Sequence, residues 1–89
     1  MRLTDPEWRL MHVLWNRSPR TAREVHDEVS PETDWAYTTV KTMLDRLVEK
    51  GALAAAREGR TTVYDPRITR DRARRSALQG LLDLSLIHI

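Results

Sequence analysis

The spacing of apolar residues changes its period at Gly51, and that change constrains the fold more than any other feature of the chain. Before it, Val40, Met43, Leu44, Leu47 and Val48 fall at i, i+3, i+4, i+7 and i+8, the stripe of an amphipathic helix. The spacing predicts a helix from about Tyr37 to Lys50, with Gly51 as the left-handed residue that ends it. After it, Leu53-Ala54-Ala55-Ala56-Arg57 and Thr61-Thr62-Val63-Tyr64 flank Glu58-Gly59-Arg60. Thr, Val and Tyr favour strands, and the glycine sits where a tight turn needs one. The segment therefore reads as a β-hairpin ended by Pro66. Ala54–Ala56 suits a helix equally well, so the first strand is the less firmly specified of the two.

Two earlier helices are marked by their caps. In Leu3-Thr4-Asp5-Pro6-Glu7-Trp8, Thr4 and Glu7 have the spacing of a capping box, Leu3 and Trp8 that of a hydrophobic staple, and Pro6 is tolerable in the first turn. Trp8, Met11, Leu14 and Trp15 then share a face expected to enter the core, and the helix should end near Asn16-Arg17-Ser18-Pro19. Thr21-Ala22-Arg23-Glu24 is a second capping box, with Ala22, Val25 and Val29 as its stripe and Ser30-Pro31 as its stop. A further helix is expected to begin after Thr69 and run to about Leu84, with Gly80 a weak point. The class is mostly α with a small β-hairpin. The order of three helices, a two-stranded wing and a C-terminal helix is that of a winged helix-turn-helix. The connection over residues 30–35 is longer than a tight helix-turn-helix allows, which favours the winged form. The division is residues 1–66 as the winged-helix domain and 67–89 as a C-terminal helical arm.

Several function classes fall away. At 89 residues the chain holds one small domain. It has no cysteine, which removes disulfides, Cys-based zinc sites and a Cys nucleophile. His12, His26 and His88 lie too far apart for a local metal spacing. No run of about 18 apolar residues is present to span a membrane. The opening residues turn acidic at once and lack the apolar core of a signal peptide, so a cytoplasmic location is expected. No activated nucleophile, paired acid or phosphate-binding loop appears; the two Thr/Glu pairs are caps. The expectation is a protein that is not an enzyme and needs no cofactor or metal.

The charge distribution points to a partner. Residues 1–35 carry five arginines against seven acids, whereas residues 36–89 carry ten Lys/Arg against six. This asymmetry suits an anionic partner facing the second half. On the third helix, plotted at about 100° per residue, Thr38, Thr42, Asp45 and Glu49 lie opposite the apolar stripe, flanked by Lys41 and Arg46. Its first turns present Tyr37, Thr38, Lys41 and Thr42 with no acid among them, as a helix entering the DNA major groove requires. Threonine reads base edges or the thymine methyl, and lysine favours guanine O6 and N7. Arg57 and Arg60 bracket Gly59 at the hairpin tip, where they suit phosphate or the minor groove. The run Arg67, Arg70, Arg72, Arg74 and Arg75 spreads around its helix and reads as a solvated start. Trp35 is expected to pack at the entrance of the third helix with its indole N–H free for a phosphate. His12 and His26 are assigned no chemistry.

Several of these residues also form a recognisable pattern. Glu7-Trp8-Arg9-Leu10-Met11, Trp15, Thr21-Ala22, the run Trp35-Ala36-Tyr37-Thr38-Thr39-Val40-Lys41-Thr42-Met43-Leu44-Asp45-Arg46-Leu47, Lys50-Gly51 and Tyr64 resemble the penicillinase-repressor (BlaI/MecI/CopY-like) family, over about residues 3–75. The resemblance implies a winged-helix transcriptional repressor that binds double-stranded palindromic operators as a homodimer, with a regulatory protease as a further partner. It places Thr38, Thr39, Lys41, Thr42 and Arg46 toward the groove and Arg57 through Thr62, including Thr61, on the wing. Thr39 and Arg46 rest mainly on that resemblance.

Departures from the pattern carry information too. Ala36 stands where the family often has a capping Ser or Thr, so Asp34 or a water is expected to substitute. The absence of cysteine argues against the copper-sensing branch. Ala77, Leu78, Leu81, Leu82, Leu84, Leu86, Ile87 and Ile89 offer more apolar surface than a small domain hides, which implies a homodimer through this segment. Residues 85–89 do not resemble the family, so the arm is expected to be incomplete or its end non-native. The competing reading is a winged helix that binds another protein, favoured by Asp45 and Glu49 on the exposed face.

Overall fold

The computed structural model describes residues 2–74. Helix α1 spans Asp5–Asn16, strand β1 Arg20–Thr21, helix α2 Ala22–Val29, helix α3 Tyr37–Glu49, strand β2 Leu53–Glu58 and strand β3 Thr61–Pro66. Residues 70–74 are helical again, in agreement with the expected fourth helix. The rest of that helix and the proposed dimerisation segment lie outside the described residues.

Both capping boxes form. Thr4 N–H donates to Glu7 Oε1 at 2.8 Å, and Glu7 N–H to Thr4 Oγ1 at 3.3 Å. The Thr21–Glu24 pair repeats the pattern at 2.9 and 3.1 Å. Gly51, at φ +83°, ends α3 in a Schellman motif: Ala52 N–H donates to Leu47 O and Gly51 N–H to Val48 O. The turn between β2 and β3 is the two-residue loop Gly59-Arg60, since Glu58 pairs with Thr61. Gly59 has φ +66° and Arg60 a negative φ, the sign pattern of a type II′ hairpin turn, which matches strand twist.

The sheet has three strands rather than the expected two. β1 pairs antiparallel with β3 through Arg20↔Tyr64 and Thr21↔Val63, giving the order β1-β3-β2. The residues that cap α2 thus also anchor the wing. Segment Ala54–Ala56 is strand, because β3 offers it a full register through Ala55↔Tyr64 and Ala56↔Val63.

The core gathers Leu10, Met11 and Leu14 from α1, Ala22, Val25 and Val29 from α2, and Val40, Leu44 and Leu47 from α3. Ala52, Leu53 and Tyr64 complete it from the sheet side. Met43 and Val48 pack against its edge. Trp8 and Trp15, expected inside, are half-buried instead. Glu7, Leu10, Met11 and Leu14 take the inward face of α1, which turns Trp8, His12 and Trp15 onto the neighbouring one. There they form an aromatic row with centroids 5.4 to 6.1 Å apart. Trp15 touches the core edge and donates its indole N–H to Ile68 O at 2.9 Å; Trp8 is not part of the core.

Glu7 has a second role that its capping spacing did not announce. It is buried, and Lys50 Nζ, at the end of α3, donates to its Oε1 at 2.6 Å and to Arg2 O at 3.0 Å. Burial pushes the Glu7 carboxyl up, but the bonds from Lys50 and Thr4 together outweigh it and hold the group below the usual carboxylate range. No helix among the described residues is long and apolar enough to cross a membrane.

Candidate nucleic-acid interface

The exposed face of α3 begins at an unguarded end. Ala36 takes the extended backbone of a cap residue, φ −70° and ψ 157°, but has no side chain to offer, and no side-chain cap bond replaces it. The expected substitution by Asp34 does not occur. The first turn contains no acid, so its free N–H groups and the positive end of the helix dipole face outward together. Tyr37, Thr38, Thr39, Thr42 and Arg46 are all exposed along this face. Tyr37 is held from behind by His26, ring edge to face with centroids 6.1 Å apart. His26 Nε2 in turn lies 3.0 Å from Trp35 O, which fixes the entrance to the helix. Trp35 packs against the core edge at that entrance, as its position suggested.

Two of the expected base-reading residues are already engaged. Thr42 Oγ1 donates to Thr38 O at 2.9 Å, one turn back. Its hydroxyl proton is therefore spent, and it faces outward with its oxygen lone pairs and its methyl. Lys41 is half-buried and held from two sides. Its Nζ donates to Asp45 Oδ1 and Oδ2 at 3.1 and 3.0 Å, and to the Tyr64 hydroxyl at 2.8 Å. The Tyr64 hydroxyl donates onward to Asp45 Oδ1 at 2.9 Å. Hydrogen bonding from Tyr64 and Asp45 favours the charged amine and raises the Lys41 pKa above its ordinary value. Burial is the first cause raising the Tyr64 pKa. Asp45, expected to lie where the helix leaves the groove, thus reaches back one turn.

The wing meets this face across a cleft of about 480 Å³. Tyr37 and Lys41 line it from α3, Arg60 and Thr61 from the wing tip, and Arg23 from the first turn of α2. The fold therefore brings Tyr37, Lys41, Arg60 and Thr61 to one place. Thr38, Thr39, Thr42 and Arg46 lie on the exposed helix outside it, and Arg57 sits on β2, paired with Thr62. Beyond Leu53, β2 is exposed throughout, so the wing projects from the body. Arg23 and Tyr64 were not foreseen as parts of this site. Arg23 carried one signal, its place two residues after the Thr21 cap. Its proximity to Arg60 depends on the β1–β3 pairing, which leaves no periodicity to read. Among the described residues no group of three or more His, Asp or Glu is placed to hold a metal ion.

This arrangement has known counterparts. The penicillinase repressor family model matches residues 3–86. The penicillinase repressor of Bacillus licheniformis is 42% identical over 66 residues, covering 74% of this chain and 52% of that protein. The solution structure of the DNA-binding domain of the repressor BlaI superposes with a TM-score of 0.71 at 40% identity, over 78% of this chain and 84% of that one. The Bacillus licheniformis BlaI monomeric form in complex with the blaP half-operator superposes with a TM-score of 0.68 at 40% identity, over 79% and 85%. This chain spans about half the length of the curated relatives it matches. With the family match running across nearly all of it and the winged-helix fold shared at high identity, the chain belongs to the penicillinase repressor family.

Proposed function

We propose that this chain is the DNA-reading part of a sequence-specific transcriptional repressor. In this reading α3 enters the major groove of a palindromic operator, its first turn meets base edges, and the wing follows the backbone. The observation that carries it is the pairing of an acid-free, uncapped start of α3 with an arginine-tipped wing across one cleft. The likeness to a BlaI monomer bound to a half-operator supports the same orientation. Tyr37, Thr38, Thr39, Lys41, Thr42 and Arg46 are the proposed groove-facing residues, and Arg57, Arg60 and Thr61 the proposed wing contacts. The role is binding without catalysis, in the cytoplasm, by a homodimer whose contact lies outside the described residues. A regulatory protease is the further partner that the family resemblance suggests.

Fluorescence anisotropy against random and selected palindromic duplexes at several salt concentrations tests this directly. Affinity should fall linearly on a log–log plot against salt, with the selected duplex held more tightly at every point. Binding that ignores both salt and sequence would sink the proposal. The protein-binding alternative drew on Asp45 and Glu49. Asp45 is bound to Lys41 and Tyr64, which leaves Glu49 as the weaker support for it.

A further inference from the structure

The triad Lys41, Asp45 and Tyr64 asks for an explanation that helix stability does not supply. A lysine four residues before an aspartate is the poorer orientation of an i,i+4 pair, because it sets each charge against the helix dipole. Nor is the whole triad needed to satisfy the buried Tyr64 hydroxyl, which requires one partner and has two. What the triad does is occupy Lys41. That residue is the sole cation in the first two turns of α3, and it borders the cleft shared with Arg23 and Arg60.

We propose that Asp45 is a specificity-determining residue, which withholds Lys41 from DNA phosphate until a matching base pair is presented. The inference rests on the DNA-binding reading above and names a regulator of that same surface. On arbitrary duplex, Lys41 stays with Asp45 and Tyr64 and releases no counterion. To engage DNA it must leave, and the carboxylate it uncovers then faces the groove without its cation. That loss is offset where a guanine offers O6 and N7 to Lys41 and a cytosine offers its N4 amino group to Asp45. Tyr64 keeps Asp45 in place during the exchange, since its hydroxyl donates to Oδ1 from a buried position in the central strand. The device weakens non-specific binding more than specific binding, and so widens the ratio between them.

The test uses the chain with Asp45→Asn, and with Glu49→Gln as a control that removes an acid one turn further along the same helix. Anisotropy with a random-sequence duplex is measured from about 50 to 300 mM salt, and the selected duplex is measured beside it. Asp45→Asn should tighten random-duplex binding by about 3- to 10-fold and steepen its salt slope by about one, as one more phosphate contact requires. The selected duplex should gain less, so the specificity ratio falls. Glu49→Gln should change random binding by less than about 2-fold. In the Lys41→Ala/Asp45→Asn double variant the gain should vanish. A thermal melt checks that each variant folds. If Asp45→Asn does not, Asp45→Ala/Tyr64→Phe removes the acceptor together with the hydroxyl that uses it and should show the same gain. Equal effects of Asp45→Asn and Glu49→Gln would overturn the proposal and leave DNA binding standing, because bulk charge would then be the whole cause. An unaltered selected-to-random ratio would overturn it too. A wild-type chain with no salt-dependent binding would instead bring down the DNA-binding reading beneath it.

Discussion

At the scale of single residues, the interface is defined as much by hydrogen bonds already made as by groups left free. Thr42 has given its proton to Thr38 O, so its proposed contact with a base is as an acceptor or through its methyl. Thr42→Ala should therefore cost about 1–3 kcal/mol at one base position. Thr42→Val should keep most of that energy if the methyl is the reader, and Thr42→Ser if the oxygen is; selection of randomised duplexes with each variant shows which position relaxes. Arg60 occupies the hairpin tip, where the role proposed for it is contact with the DNA backbone. Arg60→Ala should weaken binding to every duplex alike and lower the salt slope by about one, measured by anisotropy across a salt series. At this scale the sequence was informative about position and silent about engagement. The i,i+4 spacing of Lys41 and Asp45 could be read from the chain. Their third partner, Tyr64, lies 23 residues beyond Lys41 and joins them only through the fold.

At the scale of elements, the caps and the periods identified α1, α2, α3 and the hairpin within a residue or two, because each is a local signal. The third strand was not legible for the same reason. Two residues carry no alternation, and Thr21 was already accounted for as a cap. The burial of Tyr64 followed that omission, since pairing with β1 on one side and β2 on the other is what makes β3 central. The misplaced Trp8 has a different origin. A stripe drawn from apolar residues alone passes over Glu7, and Glu7 is buried. The start of α3 lacks a capping side chain. Ala36→Asp, placed in backbone already suited to a cap, should stabilise the domain by about 1 kcal/mol and raise its melting temperature by about 4–8 °C. The same carboxylate would take up the N–H groups proposed to face phosphate. DNA affinity should fall as the melting temperature rises, and calorimetry beside anisotropy measures both.

At the scale of the whole molecule, the Glu7–Lys50 pair ties the first turn of α1 to the end of the helix proposed to read DNA. Glu7 titrates below its unfolded value, so its stabilising contribution is complete above the unfolded pKa. It is lost as pH falls through the folded one. Lys50→Met should cost about 3 kcal/mol at neutral pH by leaving a buried carboxylate without its cation. The gap between variant and wild type should close as the solution is acidified and Glu7 takes up a proton. Urea melts at neutral pH and near pH 4 measure that gap; a pH-independent gap would mean that packing of the lysine stem, and not the charge, is what was lost. Helix α3 and strand β2 meet at a short join. Lys50, Gly51 and Ala52 alone connect them, and the Schellman bonds take up their slack. A wing mounted this closely on the helix has a set offset from it, as the two jaws of a caliper do. In the proposed docking both jaws close on a duplex only where its local groove width fits the gap, and the join would then make the domain a gauge of DNA shape at bases that neither jaw touches.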